Sequence, residues 1–250
     1  MSTPDSADRW ILRPRPRPAA RLRLLCIPHA GGGASFFRGW ADLFPDSVEV
    51  CPVQLPGREQ RIREAPFDQL EPLVEALTEA VLRRAELPFA VFGHSNGALV
   101  GFELARRLRR MGERGPVHLV ASGRRAPHAP PRLPLTHALP DEEFLRELEI
   151  LGGIPEQLRG HPELLELVLP VLRADITVHE TYEYGDEPPL EIPITGYAGA
   201  DDQRAPPDTV AEWAFHTTHE FSLRNFPGGH FFPASERERV IREVVRDLGV

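Results

Sequence analysis

Residues 89–98 read Phe-Ala-Val-Phe-Gly-His-Ser-Asn-Gly-Ala, and this stretch restricts the possible folds more than any other. An apolar β-type run, Phe89 to Phe92, passes directly into Gly93-His94-Ser95-Asn96-Gly97, and a helical pattern begins at Ala98. That is the G-x-S-x-G pattern in a strand, sharp turn and helix, the context in which it carries chemistry. A serine so placed sits on a strained turn with its hydroxyl exposed. Its neighbours must be small so that strand and helix can approach, which Gly93 and Gly97 permit. The next residue, Asn96, then offers its backbone N–H at a helix N-terminus, where a developing oxyanion is stabilised.

The surrounding pattern predicts an α/β sheet. Strands are expected over 21–27, 48–53, 117–122, 192–197 and 220–226, besides the one before Ser95. Amphipathic helices are expected over 70–85, 98–111 and 235–248, the first carrying Leu73, Leu77, Val81 and Leu82 on one face. Strands alternating with helices imply a mostly parallel sheet covered on both faces. The alternation breaks between about 137 and 184, where two helical patterns follow one another and Pro170 is expected to kink the second. A helical insertion there reads as a lid over the strand ends, where open α/β sheets bind ligands. Residues 1–20, with Arg13-Pro14-Arg15-Pro16-Arg17-Pro18, read as a flexible arm of polyproline character ahead of a single domain over 21–250.

The chain has 250 residues, 41% of them hydrophobic and 26% charged, as expected of one soluble α/β domain with a large core. Its net charge of −8 argues against general nucleic-acid binding. No apolar run approaches the roughly 20 residues that cross a bilayer, and no signal-peptide h-region follows the N-terminal charges. The expected location is therefore the cytoplasm. Cys26 and Cys51, the two cysteines, lie in apolar strand-like runs and read as buried free thiols, neither disulfide nor metal ligands. No metal is expected, and nothing in the sequence calls for more than a monomer.

A nucleophilic serine needs a base, and the base needs an orienting acid, in the chain order Ser, Asp or Glu, His. Gly199-Ala200-Asp201-Asp202 follows the strand expected over 192–197, and Pro227-Gly228-Gly229-His230-Phe231-Phe232 follows the last strand. The reading takes Ser95, Asp201 and His230 as the triad, with Asp202 the alternative acid. His94 is expected to pack beneath the turn, because adjacent side chains there point apart. A second oxyanion donor should come from the loop after the first strand. Pro28-His29-Ala30-Gly31-Gly32-Gly33 occupies that place, so the backbone N–H groups of Ala30 and Asn96 are assigned to the oxyanion hole. His29, Gly31 and Phe231 are candidate substrate contacts.

Four segments carry a resemblance to a known family: Pro28-His29-Ala30-Gly31-Gly32, Gln54-Leu55-Pro56-Gly57-Arg58-Glu59, Gly93-His94-Ser95, and Pro227-Gly228-Gly229-His230-Phe231-Phe232. From Arg21 onward the chain resembles the type II thioesterases that accompany polyketide and nonribosomal peptide synthases. The resemblance implies an α/β-hydrolase fold with a helical lid. It also implies an editing activity that clears aberrant or stalled acyl groups from carrier-protein phosphopantetheine, with no cofactor beyond that substrate-borne arm. Asn96 departs from the pattern, because the family usually has Met or Leu after the nucleophile. Acidic carrier proteins would need a basic patch, for which Arg58, Arg61, Arg63, the Arg106-Arg107-Arg109-Arg110 cluster and the arm are candidates. The same triad would serve a carboxylesterase or lipase acting on oxygen esters. A catalytically retired binding protein is the reading from another class.

Overall fold

The computed structural model describes residues 9–84, 86–131, 133–150 and 162–250, with the side chains of 162–164 excepted. Six strands form one sheet: β1 (Leu22–Ile27), β2 (Val48–Pro52), β3 (Phe89–His94), β4 (Leu119–Ser122), β5 (Ile194–Gly199) and β6 (Phe221–Phe226). Their order is β2-β1-β3-β4-β5-β6, and every neighbouring pair is parallel. This is the expected α/β-hydrolase architecture, with β3 at the centre and its C-terminal end at Ser95.

Side chains alternate across the sheet with the strand period of two. Leu25, Ile27, Val91, Leu119 and Ala121 face one core, where helices α1 (Leu70–Leu82) and α2 (Asn96–Arg110) bury Leu77, Leu104 and Leu108. Leu24, Cys26, Ala90, Phe92 and Val120 face the other, packed with Phe37, Trp40 and the C-terminal helix whose Val240, Ile241 and Val244 point inward. Cys26 and Cys51 are both buried and unpaired.

Between β4 and β5 lie α3 (Asp141–Ile150) and α4 (Pro162–Glu180), the expected insertion; the stretch 151–161 between them is outside the described residues. Helix α4 continues through Pro170. Phe144, Leu148, Leu172 and Ile176 form a small core of their own, against which Ala30 of the loop after β1 packs. The C-terminal helix is α5 (Arg237–Asp247). Among the described residues no helix is long and apolar enough to cross a membrane.

The arm departs from expectation over residues 9–20, which are docked rather than free; 1–8 lie outside the described residues. Trp10 and Ile11 are buried, and Ile11 makes an antiparallel bridge to Val53. Arg13 Nε donates to Glu49 at 2.9 Å and Arg17 Nη1 to Asp46 at 2.8 Å. The buried Glu49 carboxylate, also held by Arg23, supplies the countercharge that a composition-based reading cannot see.

Close approach at the turn after β3 sets the tightest packing limit. A Cβ on Gly97 would collide with the carbonyl oxygen of Ile27, and one on Gly93 with the carbonyl of Gly97. Gly97→Ala should therefore destabilise by about 3 kcal/mol or more. Gly115→Ala, which meets nothing within 4 Å, should stay near wild type, and paired urea unfolding curves compare the two.

Candidate active site

Ser95 occupies φ 54°, ψ −114°, a conformation that non-glycine residues rarely adopt. Its strain, of order 1–3 kcal/mol, is held by the hydrogen bond from Ser95 N to the Ser122 carbonyl at 2.7 Å and by α2 starting directly behind it. The turn lifts Oγ to within 3.0 Å of His230 Nε2, while His230 Nδ1 lies 2.8 Å from Asp202 Oδ2. The carboxylate assigns the proton to Nδ1, which leaves Nε2 to accept from the serine hydroxyl.

Asp202, not Asp201, faces His230. Strand β5 runs to Gly199, two residues beyond the expected end, so the carboxylate that turns back toward the sheet falls one position later. Asp201 is exposed, whereas Asp202 is 2% exposed and its Oδ1 also accepts from the backbone N–H groups of Arg204 and Ala205. Burial raises the Asp202 pKa, but the His230 hydrogen bond, the imidazole charge and those two N–H groups outweigh it and hold it below the ordinary aspartate value. An aspartate that caps two following N–H groups is a weak local signal, and two adjacent aspartates concealed it.

The other expected site residues converge as well. Ala30, Asn96 and His29 line one cavity of about 80 Å³ with Ser95, His230 and Phe231. Gly31, His29, Phe231 and His230 line a wider, more open cavity of about 1290 Å³. The two spaces meet at His29, His230, Phe231 and Arg204. His94 is fully buried under the turn, its Nδ1 3.0 Å from Ser122 Oγ. His29 packs edge-on against Phe36 and Phe231. Burial, together with His230, Arg58 and Arg204, lowers its pKa to about 3.

Asp175 of α4 carried no motif, yet it ties the site together. Arg58 donates to both of its carboxylate oxygens, at 2.5 and 3.0 Å, and the backbone N–H of Gly31 donates to Oδ2 at 2.6 Å. Its own carbonyl accepts from Asn96 Nδ2 at 2.9 Å. One residue thus joins the inserted helix, the loop after β1, the Leu-Pro-Gly-Arg segment and the residue after Ser95. The Nδ2 of Asn96, which stands in place of an apolar side chain, finds its partner here, while its buried Oδ1 meets no donor among the described residues. A lone carboxylate on the apolar stripe of Leu172 and Ile176 was the signal available in the sequence.

Most of the basic docking candidates are engaged in ion pairs within the chain. Arg58, Arg61 and Arg106 are buried, and each is paired, with Asp175, Glu64 and Glu103 respectively. Arg107 pairs with Glu75, while Arg109 and Arg110 pair with Glu187. In the arm, Arg9, Arg13, Arg15 and Arg17 pair with Glu64, Glu49, Asp42 and Asp46. Arg63 remains exposed.

Two outcomes are expected. Asp175→Ala strands the buried Arg58 guanidinium and should cost about 3–5 kcal/mol in urea unfolding. Acid should also destabilise the fold early. Burial is the first cause lowering the pKa of His29 to about 3, of His216 to about 4, and of His94 well below its usual value. The unfolded chain binds protons at these positions below about pH 6.5 and the native one does not. Stability is therefore full above that pH and falls by about 1.4 kcal/mol per pH unit for each histidine below it. Urea midpoints at pH 7 and pH 5 measure the loss.

Comparison with known proteins agrees with this geometry. Residues 22–248 match the family model described as Thioesterase domain. The chain is 41% identical to the gramicidin S biosynthesis protein GrsT of Aneurinibacillus migulanus, over 99% of this chain and 97% of that one. It is 42% identical to thioesterase PikA5 of Streptomyces venezuelae, over 94% and 84% of the two chains. Among solved structures, the RedJ thioesterase from the prodiginine biosynthetic pathway in Streptomyces coelicolor superposes with a TM-score of 0.84 at 41% identity, covering 93% of this chain and 91% of that one. The type II thioesterase BorB from the borrelidin biosynthetic cluster superposes with a TM-score of 0.87 at 36% identity, covering 98% and 99%. The chain belongs to the thioesterase domain family and is a thioester hydrolase built on the α/β-hydrolase fold.

Proposed function

We propose that this enzyme removes aberrant or stalled acyl groups from the phosphopantetheine arm of carrier-protein domains in polyketide or nonribosomal peptide biosynthesis. The observation that carries this reading is the Ser95–His230–Asp202 relay, at 3.0 and 2.8 Å, with Ser95 on the small cavity and His230 on the wall that the small and the large cavity share. A thioester carried on a long arm needs such an arrangement, with the acyl group on one side of the nucleophile and the arm on the other. That GrsT belongs to gramicidin S biosynthesis and that BorB is a type II thioesterase of the borrelidin biosynthetic cluster supports the same biology.

In this mechanism His230 Nε2 takes the Ser95 proton as Oγ attacks the thioester carbon. The backbone N–H groups of Ala30 and Asn96 hold the resulting oxyanion. The C–S bond breaks, and His230 returns the proton to the departing pantetheine sulfur. Water then attacks the acyl-serine, giving a proton to His230, which passes it to Ser95 Oγ as the free acid leaves. Asp202 holds the imidazole in the tautomer that both steps use. His29, Gly31 and Phe231 shape the walls at the junction of the two cavities. Ile62, Ile150 and Leu167, all exposed at the open cavity, with Arg63 nearby, would meet the carrier domain.

The test compares hydrolysis of an acyl-phosphopantetheinyl carrier protein with that of an oxygen ester of the same acyl chain, with Ser95→Ala as the blank. A strong preference for the carrier thioester is expected; preference for the ester would make the enzyme an ordinary esterase in use. Asp202→Asn should lower kcat by about 10⁴-fold through loss of the correct tautomer. Asp201→Asn should stay within a few-fold of wild type.

A further inference from the structure

Among the described residues two non-glycines hold a positive φ, Ser95 at 54° and Glu59 at 48°. Such backbone is costly for a residue with a side chain and persists where its surroundings enforce it. At Ser95 the strain presents the nucleophile. At Glu59 it presents a carboxylate, and the mechanism above gives that carboxylate no task.

The surroundings of Glu59 hold it from several sides. The preceding residue, Arg58, is fixed by Asp175 and donates to the Gly32 carbonyl at 3.2 Å. The Glu59 side chain then lies across Gly33, where a Cβ would collide with its Oε1 and Cδ. Oε1 accepts from the Ser35 N–H at 3.1 Å, while Oε2 bonds to no described residue and the carboxylate forms no ion pair among them. Glu59 is exposed on the wall of the wide cavity, a mostly apolar wall that includes Phe36, Ile62, Leu167 and Val168. It does not reach the small cavity that holds Ser95.

A carboxylate oxygen left open on such a wall is matched by an N–H donor, and N–H···O⁻ bonds are about twice as strong as neutral ones. The wide cavity is the side on which the arm lies. Between its sulfur and its phosphate the pantetheine arm is uncharged and carries amide N–H groups. We infer that Glu59 is a substrate-binding residue whose free oxygen accepts an amide N–H of the arm, so that the enzyme selects pantetheine thioesters over simple alkyl thioesters. The inference rests on the thioesterase reading above and adds a residue that recognises the arm.

The test compares butyryl-pantetheine, which has neither phosphate nor carrier domain, with the S-ethyl thioester of the same acid in the full-length enzyme. Wild type should favour butyryl-pantetheine in kcat/KM. Glu59→Gln keeps a carbonyl oxygen for the Ser35 N–H but turns an NH2 group toward the arm. It should raise KM for butyryl-pantetheine by about tenfold or more, the range of a charged hydrogen bond, with kcat unchanged. The pantetheine-to-ethyl ratio of kcat/KM should fall by the same factor. Gly33→Ala, which pushes the Glu59 side chain off the loop, should reproduce that fall. Because position 59 is exposed, Glu59→Gln should unfold at the wild-type urea midpoint, so a folding defect is distinguishable. An equal loss on both thioesters would make Glu59 only a support for the Ser35 loop and would overturn the inference, as would an unchanged ratio. In either case Ser95-dependent hydrolysis of the ethyl thioester would leave the thioesterase reading standing. No wild-type turnover of either thioester would end both readings.

Discussion

The contact between Gly97 and the carbonyl of Ile27 governs the geometry of this protein. Helix α2 lies so close to the C-terminal ends of β1 and β3 that no side chain fits between them. That approach holds Ser95 at its positive φ and lifts its hydroxyl above the sheet edge. It also brings the loop after β1 to the same edge, so that Ala30 and Asn96 reach one cavity from two elements. The strain at Ser95 is small beside the packing that enforces it: Leu99 and Ala98 are fully buried directly behind the turn.

Above that edge, order depends on charge. Asp175 is a carboxylate inside an apolar stripe, and such a residue is tolerated only when its oxygens are satisfied. Arg58 and the Gly31 N–H satisfy them, at 2.5–3.0 Å. The inserted helix, whose own core is small, is thereby locked in register with the loop that borders the reaction. The position of the inserted helix and the geometry of that loop are one property here. A change that frees the helix also frees Gly31, the neighbour of Ala30.

The same accounting extends to the arginines. Where a guanidinium is buried to build the fold, an acid accompanies it, as Glu49 does for Arg23 and Asp175 for Arg58. Arg124 breaks that rule beside the nucleophile. Among the described residues the asymmetry lies between one buried arginine and five others.

By itself the sequence determined the parallel sheet, the Ser95 turn, His230 as its partner and the helical insertion. Each of these is encoded locally, in strand and helix periodicity and in glycines at a sharp turn, and local encoding survives without coordinates. The tertiary structure decided what depends on two or more residues in the last hydrogen-bond length. It chose Asp202 over Asp201, because β5 extends to Gly199 and a single-residue step in a loop reverses which side chain faces inward. It turned Arg58 from a surface candidate into a buried ion pair with Asp175, and the proline-rich arm over 9–20 into a docked strap, since their acidic partners lie far away in sequence. Arg61 and Arg106 pair with Glu64 and Glu103 only three residues away, and it is tertiary packing that buries them. The sequence could show Asp175 only as a carboxylate on an apolar stripe; that Arg58 and the Gly31 N–H satisfy it is a property of space and not of spacing.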